Sequence, residues 1–170
     1  LETPNGTDGW SMGNDATTYG MYSVSAVGYS CALQLFEELN RDGQIPVGFL
    51  NLPVGGTSVK SWLPRSAVEE NAALKRALGA SYLTYDEDKT LNYGEFTALF
   101  NTKIAPVVNF NISGMIWYQG ETDEGATDMY RLAIESLITA YGTEFRFEEG
   151  KMPVVMCHIA PFNTGAYENI

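Results

Sequence analysis

The segment Met115-Ile-Trp-Tyr-Gln-Gly-Glu-Thr-Asp123 changes character halfway along its length. Its first half is bulky and apolar, which predicts a strand in the interior of a sheet. Its second half begins with the amide, glycine and carboxylate of Gln119, Gly120 and Glu121. In open α/β sheets, ligands bind where the carboxyl ends of the strands meet. The segment therefore predicts a central strand whose end contributes to a ligand site.

Helical and extended segments alternate around this strand. Apolar residues at helical spacing, or short polar segments between turn residues, predict helices over 25–40, 71–78, 92–106 and 127–145. Continuous apolar runs predict strands over 45–52, 112–118 and 153–159. This alternation predicts an α/β fold with a parallel sheet and helices on both of its faces.

Two of these helices carry a clear apolar stripe, which predicts the face that each turns to the core. The stripe of the first helix comprises Val27, Cys31, Leu33, Leu35, Phe36 and Leu39. The stripe of the last helix comprises Met129, Leu132, Ile134, Leu137, Ile138 and Tyr141.

Length and charge limit the organisation of the chain and its partners. The 170 residues are enough for one domain with its own core, and we interpret residues 1–22, rich in Gly, Asn, Asp and Thr, as an irregular loop or lid. The net charge of −11 argues against nucleic acid or an anionic membrane as a partner, because phosphate binding needs a cationic face. No apolar stretch of the sequence is long enough for a membrane span.

Cysteine and histidine are too few for a disulfide framework or a typical zinc site. Cys31 and Cys157 lie in apolar surroundings, which predicts small buried side chains. The pair Gly55-Gly56 lacks the lysine of a P-loop and the third glycine of a dinucleotide fingerprint. We expect neither a metal nor a nucleotide cofactor.

Two predicted strands end in similar polar turns, Val54-Gly-Gly-Thr-Ser58 and Tyr118-Gln-Gly-Glu-Thr122. A backbone N–H from the first turn and a side-chain amide from the second can converge on one point, as stabilisation of a developing oxyanion requires. The alternative is that both are ordinary strand–helix turns, in which glycine is common for steric reasons.

The sequence resembles the sialate O-acetylesterase type of carbohydrate esterase, within the SGNH (GDSL-like) hydrolase superfamily. The most specific part of the resemblance is Gly114-Met-Ile-Trp-Tyr-Gln-Gly-Glu-Thr122. Further matching segments are Ser25-Ala-Val-Gly-Tyr29, Ile45-Pro-Val-Gly-Phe-Leu-Asn51, Val54-Gly-Gly-Thr57 with Trp62, Phe100-Asn-Thr-Lys-Ile-Ala-Pro106, Tyr130-Arg131 and Ile159-Ala-Pro-Phe162.

The resemblance implies a three-layer α/β/α, flavodoxin-like fold and serine-dependent removal of acetyl groups from carbohydrates, without metal or organic cofactor. By position, the oxyanion donors are the N–H of Gly55, with Gly56 as the alternative, and the side chain of Gln119. Gly56, Thr57 and Glu121 are implied to contact the substrate, and Glu121 also to orient Gln119 or its loop. Acetylated sugars as substrates also suggest a secreted or periplasmic protein.

The sequence departs from the family pattern at its two most reactive motifs. The nucleophile block, of the type Gly-Gln-Ser-Asn, and the late Asp-x-x-His block are both absent from it. A serine without an adjacent base is a weak nucleophile. We therefore interpret the chain as the central part of the enzyme, incomplete at both ends and inactive alone.

Three other interpretations remain open at this point. Ser30, in a Gly-x-Ser-x-Ala context, and His158 could form an internal pair, although the first fits a helix and the second a strand or core position better. A non-catalytic carbohydrate-binding or interaction module would use Trp10, Trp62 and Tyr118 for stacking. The acids Glu121, Asp123 and Glu124 could act as glycosidase carboxylates, but a solvated loop face is the simpler interpretation.

Overall fold

The computed structural model describes residues 24–40, 45–80 and 93–160. The chain divides into two compact units, Leu1–Pro53 and Val54–Ile170, each considered by itself below. The loop or lid predicted over 1–22 lies outside the described residues. In the described part of the chain, no helix combines the length and the apolar character that crossing a membrane requires.

The first unit contains helix α1, Ala26–Leu39, which confirms the helix predicted over 25–40. Ser25 caps its start, because the hydroxyl accepts a hydrogen bond from the Gly28 N–H at 3.2 Å. At its end, the Asn40 side chain donates to the carbonyls of Phe36 and Ile45, at 3.0 and 2.6 Å. Local capping chemistry therefore sets both ends of α1.

The apolar stripe predicted for α1 is exposed rather than buried. Four of its side chains are between 44% and 51% exposed: Leu33, Leu35, Phe36 and Leu39. Helical periodicity determines which residues share a face, but burial needs a second element against that face.

The strand predicted over 45–52 is not formed. Residues 45–54 carry no strand assignment, although the Ser25 N–H donates to the Asn51 side chain at 3.1 Å. A strand exists as a hydrogen-bonded pair, and no described residue supplies the partner ladder for this segment. The prediction failed because it rested on composition alone.

The second unit contains a parallel pair of strands, β1 Met115–Trp117 and β2 Val154–Met156. Both confirm predicted strands, in shorter form. Backbone hydrogen bonds extend the pairing on either side, from Met115 N to Pro153 O at 2.9 Å and from Cys157 N to Trp117 O at 2.8 Å. Helix α4, Thr127–Glu144, lies in the connection between the strands. The unit is therefore mixed helix and strand, with the small parallel sheet that an α/β fold requires.

The remaining helices of this unit are short and pack mainly on α4. They are α2, Arg65–Glu69, and α3, Ala72–Leu78, preceded by a 3₁₀ turn at Val59–Trp62. Helix α3 confirms the helix predicted over 71–78, and Asn71 caps it by accepting from Ala73 N and Leu74 N.

The regular helix predicted over 92–106 is replaced by two irregular turns, a π turn at Phe100–Ile104 and a 3₁₀ turn at Ala105–Val107. Thr97, at a φ of 61°, has a left-handed backbone that interrupts a right-handed helix. Its N–H donates to the carbonyl of Lys60 instead, at 3.1 Å. The apolar residues Phe96, Leu99 and Ile104 of this segment are nevertheless buried.

The core of the second unit lies along α4. Of its predicted stripe, Ile134, Leu137 and Tyr141 are buried. The Tyr141 hydroxyl donates to the carbonyl of Trp62 at 2.8 Å, and the Trp62 ring meets that of Trp117 edge-on, with centroids 6.1 Å apart. This aromatic cluster fixes the turn after residue 54 relative to strand β1, and both lead directly into the site.

Candidate active site

The first glycine turn is open to solvent at its tip and anchored behind it. Gly55 and Gly56 are exposed, and Gly56 has a φ of 72°, a conformation that favours glycine. Thr57 follows with 6% of its surface exposed. Its hydroxyl donates to Val54 O at 2.8 Å and accepts from the Trp62 indole at 3.1 Å. The Thr57 side chain therefore holds the turn in shape.

Gln119 joins the second turn to the first. Its side-chain Nε2 donates to the carbonyl of Thr57 at 3.0 Å and to the carboxylate of Asp123 at 2.7 Å. Both amide hydrogens are thus engaged, whereas Oε1 is buried without a hydrogen-bond partner. Exchanging the two amide atoms would set an oxygen against two acceptors, so the contacts fix the orientation.

Asp123 is the residue that sequence reasoning missed. It is 4% exposed and lies at the end of the 3₁₀ turn Glu121–Asp123. Its carboxylate accepts from three donors, namely the hydroxyl of Ser58, the N–H of Val59 at 2.8 Å and the side chain of Gln119. The prediction of a solvated acidic face was wrong for Asp123, because the tight turn directs it inward.

Glu121 and Glu124, the other two acids of this loop, are exposed, as predicted. No hydrogen bond joins Glu121 to Gln119, and Asp123 occupies the orienting position that the resemblance implied for Glu121. No sequence signal separates the three acids, because all follow the same strand in the same polar loop. A substrate contact by Glu121 stays a prediction.

Tyr130 of α4 supports the backbone of Gln119. Its hydroxyl donates to the Gln119 carbonyl at 2.6 Å and accepts from the Trp117 indole at 3.1 Å. Burial raises the pKa of the Tyr130 phenol, and the charges of Asp123 and Glu121 add to this, whereas the Trp117 hydrogen bond acts in the opposite direction. The phenol therefore stays protonated and remains a donor to the strand end.

Two depressions adjoin these turns. A groove of about 440 Å³ is lined by residues of both turns, including Gly56, Ser58 and Thr122. A smaller one of about 150 Å³ lies at the carboxyl ends of β1 and β2, with Gln119 and His158 among its lining residues. This is the edge at which the sequence predicts a ligand site.

Ser30 does not take the position of a nucleophile elbow, and His158 lies at the end of strand β2 rather than in the core. His158 is exposed just beyond β2, and its Nδ1 lies 2.8 Å from the carbonyl of Ile159. Ser30 lies inside α1, so the strand that an elbow needs before its serine is missing.

Cys31 and Cys157 are free thiols. Both are partly exposed, whereas the sequence predicted that they would be buried. Among the described residues, no group of three or more His, Cys, Asp or Glu side chains could hold a metal ion.

Comparison with known proteins gives a consistent result. The family model described as "Carbohydrate esterase, sialic acid-specific acetylesterase" matches residues 5–170. Two proteins named sialate O-acetylesterase, from Pongo abelii and Homo sapiens, are each 25% identical to the chain over 123 residues. That alignment covers 72% of this chain and 22% of each relative, so the chain spans about a fifth of the length of the relatives it matches.

The family model covers nearly the whole sequence, including both glycine turns and the Asp123 loop. The resemblance seen in the sequence is thereby confirmed. The chain belongs to the family of carbohydrate esterases described as sialic acid-specific acetylesterases.

Proposed function

We propose that the chain is the central part of a serine-dependent O-acetylesterase that removes acetyl groups from sugars such as sialate or plant polysaccharides. The observation that carries this proposal is the hydrogen bond from the Gln119 side chain to the Thr57 carbonyl, which joins the two turns beside one groove. Membership of a carbohydrate esterase family supports an acetylated sugar as the substrate class.

In the proposed reaction, a serine hydroxyl attacks the acetyl carbonyl while a histidine takes its proton. The carbonyl oxygen becomes an oxyanion, which collapses to release the sugar alcohol and leave an acetyl-enzyme; water then releases acetate. We place the serine, histidine and aspartate outside this sequence. The oxyanion donors within it are the N–H of Gly55, or of Gly56, and Nε2 of Gln119.

The Gln119 role requires one hydrogen bond to be exchanged. Nε2 carries two hydrogens. One is hydrogen-bonded to the Asp123 carboxylate and the other to the Thr57 carbonyl. The bond to the charged acceptor is the stronger of the two. We therefore propose that the Gln119 amide keeps its hydrogen bond to Asp123 and exchanges its bond to the Thr57 carbonyl for one to the oxyanion.

We propose that Gly56, Thr57 and Glu121 contact the substrate through different groups. Gly56 lines the groove and is exposed, so its backbone can approach a sugar closely. The Thr57 hydroxyl is engaged with Val54 and Trp62, so any Thr57 contact with substrate would come from its backbone. Glu121 is exposed beside Thr122 of the groove, where it can accept from a sugar hydroxyl.

For the fold we propose the three-layer α/β/α arrangement of SGNH hydrolases, in one domain that takes in the whole chain. It is supported by the parallel pair β1–β2 and by exposed apolar side chains on β2, Val155 at 55% and Met156 at 51%. Parallel sheets are covered on both faces in stable proteins, so such side chains mark a surface for further elements. We also propose secretion or export, in keeping with a glycan substrate.

One observation favours a second candidate function, a non-catalytic carbohydrate-binding module. Tyr118 is 50% exposed directly beside Gln119, where its ring can stack on a sugar. Trp62, the other stacking residue predicted within the described part of the chain, is 7% exposed and serves the core instead.

The test uses the full-length protein that contains this chain. We expect acetate release from O-acetylated sialic acid or acetylated xylan, and labelling of one serine outside residues 1–170 by a fluorophosphonate probe. Sugar binding without acetate release or labelling would support the binding module instead. Labelling at Ser30 would support the internal pair, and would contradict the proposed location of the nucleophile.

A further inference from the structure

We propose that Asp123 is a positioning residue of the esterase site, which locks the Gln119 amide and the first glycine turn into one unit. This inference rests on the proposed esterase function. Nothing in the sequence singles out Asp123, and the case for it comes from its burial and its three hydrogen-bond donors.

The first step concerns charge. A carboxylate that is 4% exposed is costly unless donors satisfy it. Among the described residues, its partners are the donors named above. Ser58 and Val59 belong to the first turn and Gln119 to the second, and 65 residues separate Ser58 from Asp123 in the sequence. Within the part of the chain that the structure describes, hydrogen-bond donors rather than a cation balance this carboxylate, so its position depends on both turns and each turn depends on it.

The second step concerns the orientation of Gln119. Because Oε1 has no partner, the bonds made by Nε2 alone hold the amide in its plane. Without Asp123, the amide loses its stronger bond and can turn over. An inverted amide would present an oxygen to the developing oxyanion, which repels it, in place of a hydrogen-bond donor.

The third step concerns the coupling of the two turns. Thr57 accepts from Gln119, Gln119 donates to Asp123, and Asp123 holds the two residues that follow Thr57. These contacts form a closed loop of hydrogen bonds. A shift of the first turn therefore moves the amide as well, and the two oxyanion donors keep their separation.

The test is turnover of the full-length enzyme on an O-acetylated sugar, with three variants. We expect Asp123→Ala to lower kcat about a hundredfold with little change in KM, the size of effect seen when an oxyanion donor is lost. Asp123→Asn should stay within about tenfold of wild type, because its amide oxygen can accept from Val59 and Gln119 while its NH₂ donates to Ser58. Glu124→Ala, at an exposed acid of the same loop, is the matched control.

A double-mutant cycle separates positioning from general stability. If Asp123 acts through Gln119, Asp123→Ala should lower kcat far less in a Gln119→Ala background than in wild type. Fully additive effects, or wild-type turnover in Asp123→Ala, would overturn the proposal. Should Asp123→Ala fail to fold, Asp123→Ser keeps one acceptor oxygen, and its kcat should lie between about tenfold and about a hundredfold below that of wild type. An inactive wild-type enzyme would instead refute the esterase function itself.

Discussion

At the scale of one residue, hydrogen bonds hold Gln119 at both its backbone and its side chain. Its backbone carbonyl is held by Tyr130 and its amide by Thr57 and Asp123. In the proposed reaction only the bond to Thr57 is exchanged, so the bond to Asp123 holds the donor in place and limits the reorganisation that oxyanion stabilisation requires. The same logic explains why Tyr130 and Trp117, which do not face the groove, belong to the support of the site.

Tyr141 gives a prediction about pH. Burial raises the pKa of its phenol far above the ordinary value of about 10. The folded state therefore holds this proton more tightly than the unfolded state, so the stability it contributes is complete below about pH 10 and is lost as pH rises above it. Tyr130 contributes in the same direction. We expect the free energy of unfolding to fall by about 1.4 kcal/mol per pH unit from Tyr141 alone above pH 10.

Urea unfolding at pH 8 and pH 11 measures this effect. Tyr141→Phe loses the hydrogen bond to Trp62, which should cost about 1 kcal/mol at pH 8, and should reduce the alkaline loss. Tyr93→Phe, at an exposed tyrosine, controls for loss of a hydroxyl at the surface. An identical alkaline loss in wild type and Tyr141→Phe would contradict the prediction.

The sequence identified candidate site residues by their chemical type, but it did not show which of them are buried. The sequence pointed to Gln119 and the Gly55-Gly56 turn because an amide and paired glycines follow two predicted strands, where oxyanion donors can converge. It assigned Asp123 to a solvated face because its neighbours Glu121 and Glu124 are equally acidic. The inward direction of Asp123 comes from the 3₁₀ turn and from donors far away in sequence, which a local pattern does not contain.

At the scale of elements, Gly114, just before β1, lies close to the backbone of Pro153, just before β2. A Cβ added there would lie 2.8 Å from the carbonyl of Pro153, a backbone atom that cannot move cheaply. We expect Gly114→Ala to destabilise the protein by about 1–3 kcal/mol through overpacking. Chemical denaturation measures this change.

Gly142 provides the matched control for this substitution. It lies within α4, and an added Cβ would meet Met152 at 3.9 Å, an ordinary contact. Alanine is the better helix former, so Gly142→Ala should raise stability by about 0.5–1 kcal/mol. Equal changes in stability for Gly114→Ala and Gly142→Ala would contradict this prediction. They would show that the close contact with Pro153 does not limit residue 114 to glycine.

The helices with local determinants were predictable and strands β1 and β2 were found in shorter form, but two other elements that depend on distant contacts were not. Helices α1, α3 and α4 have periodic apolar residues or a capping side chain within their own segments, and the sequence predicted all three. The segment 45–52 lacked a described partner ladder, and Thr97 interrupted the helix predicted over 92–106. Strand pairing and a left-handed residue both depend on contacts outside the segment.

At the scale of the whole molecule, apolar surface is left uncovered in both units. Phe36 of α1 is 47% exposed and Val155 of β2 is 55% exposed. Large exposed apolar surfaces mark places where other elements dock. These surfaces support the proposal that further elements of an α/β fold cover them, and the chain spans about a fifth of its relatives' length.

The most direct test of the central claim is the turnover of Gln119→Ala in the full-length protein. We expect kcat for release of acetate from an O-acetylated sugar to fall about a hundredfold or more, with circular dichroism and thermal unfolding close to those of wild type. Unchanged turnover in a folded Gln119→Ala variant would contradict the assignment of the joined turns as the oxyanion side of an acetylesterase site.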